Sequence, residues 1–396
     1  MAVSEQSYDV VIIGGGIYGA SIAWWLTRMP GFQGSVLVLE RDLSYAQAAT
    51  SLTNSCIRQQ FTNETNIRIS QFGAEFVNNF KLFMDDAEAP DLKIQSFGYL
   101  YLADTEAFAG SLRNAQKTQE KFGAATRFLS RNDIAAAYPF YNLDDIIGGN
   151  HNLVNEGYFD GGTIFDWFRR NSRKAGVTFR EAEVVDIDHK SGKATHVRLD
   201  DGARIACGTL VNAAGTRARN ITQMVGLDIP VEPRKRYTFV FDAAHPLECD
   251  LPLTIDPSGV HMRTDGRYYM AGSAPDTDDP VDPNDFSADH DIWVDKVWPI
   301  IATRIPQFEA IKLANTWVGH YDYNTHDQNA IVGPHPEIDN LLIVNGFSGH
   351  GLQQAPAIGR GIAEWITHGA YQTLDLTPFN VTRVLRGEKF VEKAVI

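Results

Sequence analysis

The first apolar run of the chain, Tyr8 to Ile13, has almost no polar interruption, which suits a strand buried on both faces of a parallel sheet. Glycines follow, and residues 17 to 29 then take a helical period with Ile22, Ala23, Trp25 and Leu26 facing inward. A second unbroken run, VLVLE, predicts another buried strand ending at Glu40. Residues 81 to 150 carry the amphipathic stretch AFAGSLRNAQKTQEKFG and the strand-like SFGYLYLA, and Asp160 to Gly162 lead into a further helix. From VTFREAEV to LVNAAG the pattern is one of short alternating runs broken by Ser-Gly and Asp-Gly, which predicts hairpins. Leu210 to Ala213 again reads as a buried strand, ending at Ala214-Gly215. Residues 226 to about 325 alternate and are aromatic, as in RYTFVFD and GVHMRTDGRYYMAGSA, fitting a large antiparallel sheet. Near the other end, VNGFSGHGLQQAPAIGRGIAEW repeats the opening arrangement of apolar strand, glycines and helix.

The opening glycines are Gly14, Gly16 and Gly19, a G-x-G-x-x-G between a strand and a helix, and Glu40 ends the next strand at the distance where dinucleotide-binding folds place an acid on ribose hydroxyls. Each part has its own reason: a tight turn, close approach to pyrophosphate, a helix dipole on the phosphates, a carboxylate on the ribose. The motif implies an ADP-containing cofactor and leaves NAD and FAD open. Arg41 follows Glu40, and Ala49-Thr50-Ser51 is a small, hydroxyl-rich run without strand pattern. It reads either as backbone laid along the ribityl chain and pyrophosphate of a long cofactor, or as a surface loop.

Composition narrows the class further. With 396 residues, 44% of them apolar, the chain has material for two domains. The formal charge of -14 sets nucleic acid and anionic membranes aside as partners. No run approaches the roughly 20 apolar residues of a membrane helix, and MAVSEQSYDV has no signal-peptide or transit-peptide character, so the expected location is cytoplasmic. Cys56, Cys207 and Cys249 are too scattered for a disulfide framework or zinc site and are expected to be reduced and packed as small apolar side chains. His320, Asp322, His326 and Asp327 in HYDYNTHD form the one cluster worth weighing for metal; a hydrogen-bonding loop is the better reading, and no metal is expected.

The succession GGGIYGAS, LERD, ATSLTNSCIRQQF, LVNAAGTRA and GFSGHGLQQAPAIGR resembles the D-amino-acid oxidase and sarcosine oxidase (DAO) superfamily of FAD-dependent amine oxidoreductases, over nearly the whole length. The branch it is most similar to holds sarcosine oxidase beta subunits, dimethylglycine dehydrogenase, iminodiacetate oxidase and FAD-dependent oxidoreductase domain-containing proteins. The resemblance implies an α/β fold with an α+β second domain: a Rossmann-like FAD-binding domain of the glutathione-reductase type (1–80, 151–225 and 326–396) interleaved with an antiparallel-sheet substrate-binding domain (81–150 and 226–325). It implies dissociable FAD held by Gly14, Gly16, Gly19, Glu40, Arg41, Thr50, Ser51, Val184, Val185, Ala214, Gly215, Gly346, Gly349, Gly351 and Leu352. The late helix, with Pro356 near its start, would aim its positive end at the flavin N1/C2=O region.

The implied reaction is oxidation of a secondary or tertiary amine bearing a carboxylate, such as sarcosine, dimethylglycine or iminodiacetate. The imine is then hydrolysed, and the electrons pass to O2, to a carrier or to a partner flavoprotein. A flavin-binding scaffold without catalysis is the reading of another class.

Arg58 matches the family's arginine for substrate carboxylate, a role its two-pronged donor geometry suits; the structural alternative is pairing with Glu64. Gln59 and Gln60 are candidates for the same wall, and His350 matches a histidine at the flavin. His261 and Tyr321 complete the expected catalytic set, with Tyr237, Tyr269 and Tyr323 as further pocket aromatics. Two positions depart from sarcosine oxidases. Gln353 stands where they have a carboxylate-binding lysine, leaving Lys235, Arg236, Arg263 and Arg267 as unplaced helpers, and Met270 stands where they have the lysine that promotes oxygen reduction. His320 is the candidate tether were the flavin covalent, and Asp327 is expected to be structural.

Overall fold

The computed structural model describes residues 6–394. Two eight-stranded sheets organise them. In the first sheet the order is Ile331–Pro334, Leu341–Asn345, Arg204–Asn212, Gln6–Ile13, Val36–Glu40 and Thr178–Glu181, with the hairpin Val184–Lys190 and Lys193–Leu199 folded onto Arg204–Asn212. Its central pairings are parallel: Gln6–Ile13 lies between Val36–Glu40 and Arg204–Asn212, which in turn pairs with Leu341–Asn345. Val10 to Ile13 and Leu341 to Asn345 are buried along their length, which accounts for the unbroken apolar runs. Both glycine-rich turns leave parallel strands of this one sheet, Gln6–Ile13 and Leu341–Asn345, with Arg204–Asn212 between them.

The second sheet runs Ile311–Asn324, Val231–Ala243, Tyr268–Ser273, His261–Asp265, Leu253–Ile255, Tyr99–Ala103, Gly148–Asn152 and Arg127–Ser130. It is antiparallel except where Leu253–Ile255 runs parallel to Tyr99–Ala103. A short ladder, Cys56–Ile57 against Gly157–Tyr158, lies outside both sheets.

The helix after the first turn spans Ile17–Leu26, shorter than the sequence period suggests, and is buried on all sides, so no polar face marks its limit. It packs against the late helix Gly351–His368 and the helix Gly161–Lys174. Ser21 Oγ donates to the Ala355 carbonyl (2.8 Å) and Trp25 Nε1 to the Pro356 carbonyl (2.9 Å). A Cβ on Gly359 would stand 2.1 Å from Ser21 Oγ, so this glycine sets how closely the helices approach. Among the described residues no helix is long and apolar enough to cross a membrane.

Candidate active site

A cavity of about 490 Å³ lies between the two sheets, and both glycine turns open onto it. At the first turn Gly14 has φ +96°, and a Cβ there would stand 2.4 Å from the Ala213 carbonyl oxygen, so side chains are excluded where two strands approach. Gly19 packs the helix against the strand: its Cβ would stand 2.0 Å from the Gly14 oxygen. Gly19 therefore serves the turn from behind the cavity wall. Glu40 accepts hydrogen bonds from Gly15 N (2.8 Å) and Asp42 N (3.1 Å), and burial pushes its carboxyl up.

The helices Ile17–Leu26 and Gly351–His368 begin side by side on this cavity, bridged by a hydrogen bond from the Tyr18 hydroxyl to the Gly351 carbonyl (2.7 Å). Neither start carries a capping side chain of its own or an acid in its first turn. Thr50 supplies one acceptor, its Oγ1 taking the Ile17 N–H (3.0 Å). Two helix N-termini without an acid in the first turn and sharing one cavity suit a cofactor that is anionic at two places, a pyrophosphate and an electron-rich ring edge. Val184, Val185, Ala214 and Gly215 line the same cavity beside Glu40 and Arg41. The residues thus fit an extended flavin dinucleotide.

The remaining expected cofactor residues divide. Gly349 (φ +97°), Gly351 and Leu352 are on the wall, and a Cβ on Gly349 would stand 2.2 Å from the Tyr321 ring. Gly346 lies behind the wall, where it turns the chain at φ +74°. Ser51 is exposed and off the cavity, since it is its neighbour Thr50 that turns inward.

Arg58 is buried and on the cavity wall. Its guanidinium stacks 4.6 Å over Phe61 and 5.9 Å from Tyr99, Nη2 donates to the Ala394 carbonyl, and the buried Nε has no partner among the described residues. The expected alternative partner Glu64 is taken by Arg68 at 2.7 Å. Gln353 Oε1 accepts the Arg58 backbone N–H (2.8 Å), so the residue in the lysine position orients the arginine. The buried Glu156, whose acid burial pushes up to about 7, accepts from the Gln59 backbone N–H and the Gln60 side-chain amide, and both glutamines are off the cavity.

His350 and His261 line the cavity, and burial, with Arg58 among the nearby cations, lowers them to about 3 and about 4, so both are neutral at neutral pH. Both ring nitrogens of His350 and Nδ1 of His261 are buried without partners.

Other expectations are corrected. Met270 pairs with Val240 and Arg263 and is off the cavity; the residue its hairpin presents there is His261, across from Gly272. Arg236 reaches the wall with its charge spent on Asp278 (2.7 and 3.0 Å) while lying 4.6 Å over the Tyr321 ring. Arg263 pairs with Asp265 and Lys235 with Asp285, each at 2.9 Å, and Arg267 bonds the Tyr268 hydroxyl. Tyr237 and Tyr321 line the cavity, but Tyr269 packs on Phe241 and Phe308, and Tyr323 accepts from Gln328. Cys249 is exposed, and Cys56 is on the wall.

The HYDYNTHD side chains disperse. His320 bonds the Asp285 carbonyl and stacks on Phe286 (4.2 Å), Asp322 takes backbone N–H groups of the glycine loop, and His326 bonds the Glu388 carbonyl. Asp327 pairs with Arg383 through both oxygens (2.7 and 3.0 Å). Among the described residues no group of three metal-ligating side chains forms.

One feature has no signature in the sequence. The aspartate-rich segment 276–287 crosses the cavity mouth as a strap. Asn284 Oδ1 accepts from Arg41 and Arg217, which follow the strands Val36–Glu40 and Arg204–Asn212 of the first sheet, Asp278 and Asp285 hold Arg236 and Lys235 of the second, and Pro283 faces inward. Tyr99 and Leu253, also on the wall, read in the sequence only as strand residues.

A dinucleotide-binding sheet joined to an antiparallel platform, with the cofactor cavity between them, defines a flavin-dependent oxidoreductase. Residues 9–365 match the DAO family of FAD dependent oxidoreductases, and the chain belongs to that family, whose members act on amines and amino acids. It is 37% identical to the bovine (Bos taurus) FAD-dependent oxidoreductase domain-containing protein 1, over 98% of this chain and 87% of that one. It is 24% identical to mitochondrial dimethylglycine dehydrogenase of Rattus norvegicus over 93% of this chain and 44% of that one. The solved structure of L-proline dehydrogenase from P. horikoshii superposes with a TM-score of 0.84 at 25% identity, covering 98% of this chain and all of that one, 100%.

Proposed function

We propose that this FAD-dependent amine oxidoreductase oxidises a secondary or tertiary amine carrying one carboxylate, an N-substituted glycine of the sarcosine or dimethylglycine kind, to an imine that water hydrolyses to glyoxylate or an aldehyde and the smaller amine. The carrying observation is Arg58: a buried guanidinium on the cavity wall with no carboxylate partner among the described residues. Arg236, the other cation of that end, is neutralised by Asp278, so a single substrate carboxylate is matched and iminodiacetate ranks below the monocarboxylates.

FAD, when bound, supplies the acceptor for the electron pair leaving the carbon beside nitrogen. The chain's own groups bind and orient. Arg58 takes the carboxylate, Gln353 fixes the arginine's backbone, and Tyr99 and Tyr321 wall the amine. His261 stands neutral on the cavity wall, so it adds no positive charge beside the substrate amine.

The acceptor has two readings. O2, yielding peroxide, is the first. A carrier or partner flavoprotein is the second, favoured because His261 is neutral and Lys235 is held by Asp285. The test is anaerobic mixing of the FAD-loaded protein with sarcosine, dimethylglycine, iminodiacetate, proline and D-amino acids while following flavin absorbance. Bleaching by the N-substituted glycines is expected, and the rate of recolouring in air separates the acceptors. A loaded protein that none of them bleaches overturns the reading and leaves a flavin-binding scaffold.

A further inference from the structure

Four acids line the cavity. Glu40, Asp42 and Glu183 stand at the end bounded by Arg41 and Arg217, and Asp322 stands apart, beside the second glycine loop. Asp322 lies near the end of the strand Ile311–Asn324. Its Oδ2 accepts the N–H groups of Gly346 (2.8 Å) and Phe347 (3.2 Å), and its backbone carbonyl accepts that of Ser348 (3.2 Å). It forms no ion pair with any described lysine, arginine or histidine, and Oδ1 takes no hydrogen bond from any described residue. Across the loop lies Tyr18, whose hydroxyl the Asp322 charge and burial together push up, with burial the larger cause. Burial likewise raises the Asp322 acid to about 6 against the pull of the two amides.

We propose that Asp322 sets the reduction potential of the bound flavin, holding it down with a negative charge that no protein cation offsets. The inference rests on the seating of the flavin ring against the 346–352 loop adopted above. The uncapped start of Gly351–His368 and the loop amides favour negative charge on the ring. A fixed carboxylate braced against the same loop opposes that charge through a poorly screening interior. The reduced flavin is thereby a better donor to its acceptor and the oxidised flavin a milder oxidant of the amine.

The test is a reductive titration of the FAD-loaded protein at pH 8 against a dye of known potential, with no amine present, so its outcome is independent of the substrate reading. In Asp322→Asn an oxygen remains for Gly346 and Phe347 while the charge is gone. The two-electron equilibrium is expected to shift at least tenfold toward the reduced form, about 30 mV. Asp322→Ser, also uncharged, should shift the same way, and Asp322→Glu, which keeps the charge, should stay near the wild-type potential. A wild-type potential in Asp322→Asn or Asp322→Ser overturns the proposal, whatever happens to FAD affinity. A rise in Asp322→Glu equal to that in Asp322→Asn also overturns it, since loop geometry would then be the cause.

Discussion

Replacing Arg58 by Met keeps a stem between Phe61 and Tyr99 and removes the guanidinium, so it isolates the carboxylate clamp. The structure bounds the size of the effect. Nη2 is engaged by the Ala394 carbonyl and Nε is closed off from the cavity, so Nη1, which makes no hydrogen bond to a described residue, is the nitrogen left for a substrate. A hydrogen bond from a charged donor contributes about 1.5–3 kcal/mol, so its loss costs roughly tenfold or more in affinity. The assay is the dissociation constant of acetate, a carboxylate that cannot be oxidised here, read from the perturbed flavin absorbance of the loaded protein. Arg58→Met should weaken it at least about tenfold. Arg58→Lys, which keeps charge but loses the planar fork, should fall between the two. Acetate bound by Arg58→Met within threefold of wild type would refute the clamp.

Gly349→Ala should lower the flavin-to-protein absorbance ratio of the purified protein severalfold, because a side chain at φ +97° would run into the Tyr321 ring beside the cofactor cavity. Arg383→Met strands the fully buried Asp327 carboxylate, at a cost of about 3–5 kcal/mol visible in urea unfolding with FAD saturating; Asp327→Asn should recover part of that loss in the double variant. Acid should destabilise the protein through its neutral histidines. His261 is held at about 4 against roughly 6.5 unfolded, so its contribution is present above pH 6.5 and is lost as pH falls toward 4, up to about 3 kcal/mol. Urea midpoints between pH 7 and 4.5 should therefore fall less steeply in His261→Asn.

The two glycine turns were readable because a tight turn between a buried strand and a helix leaves its mark within a dozen consecutive residues. The same holds for Glu40, whose spacing from the glycines follows from one strand-helix-strand unit. Arg58 could be picked out by its place in CIRQQF, but its hold by Gln353 joins residues far apart in the chain and has no local pattern. Met270 and Ser51 show the opposite difficulty. For Ser51 one step along the chain decides which residue faces in, and for Met270 it is the adjacent strand that supplies the wall residue, His261, and period alone shows neither. The strap falls within the stretch read only as antiparallel sheet, since its meaning lies in the cations it meets from two different sheets.

That strap bears on how long a cofactor stays. A dinucleotide in the cavity lies beside Pro283, the strap residue on its wall, so its residence time should depend on a latch as well as on its own contacts. The latch is fastened chiefly by Lys235 with Asp285 and Arg236 with Asp278, partly exposed charge pairs that dissolved salt screens. Escape should quicken as ionic strength rises, even though the glycine cradle that grips the pyrophosphate is unchanged, and a newly made chain gains most by taking its cofactor before the latch engages.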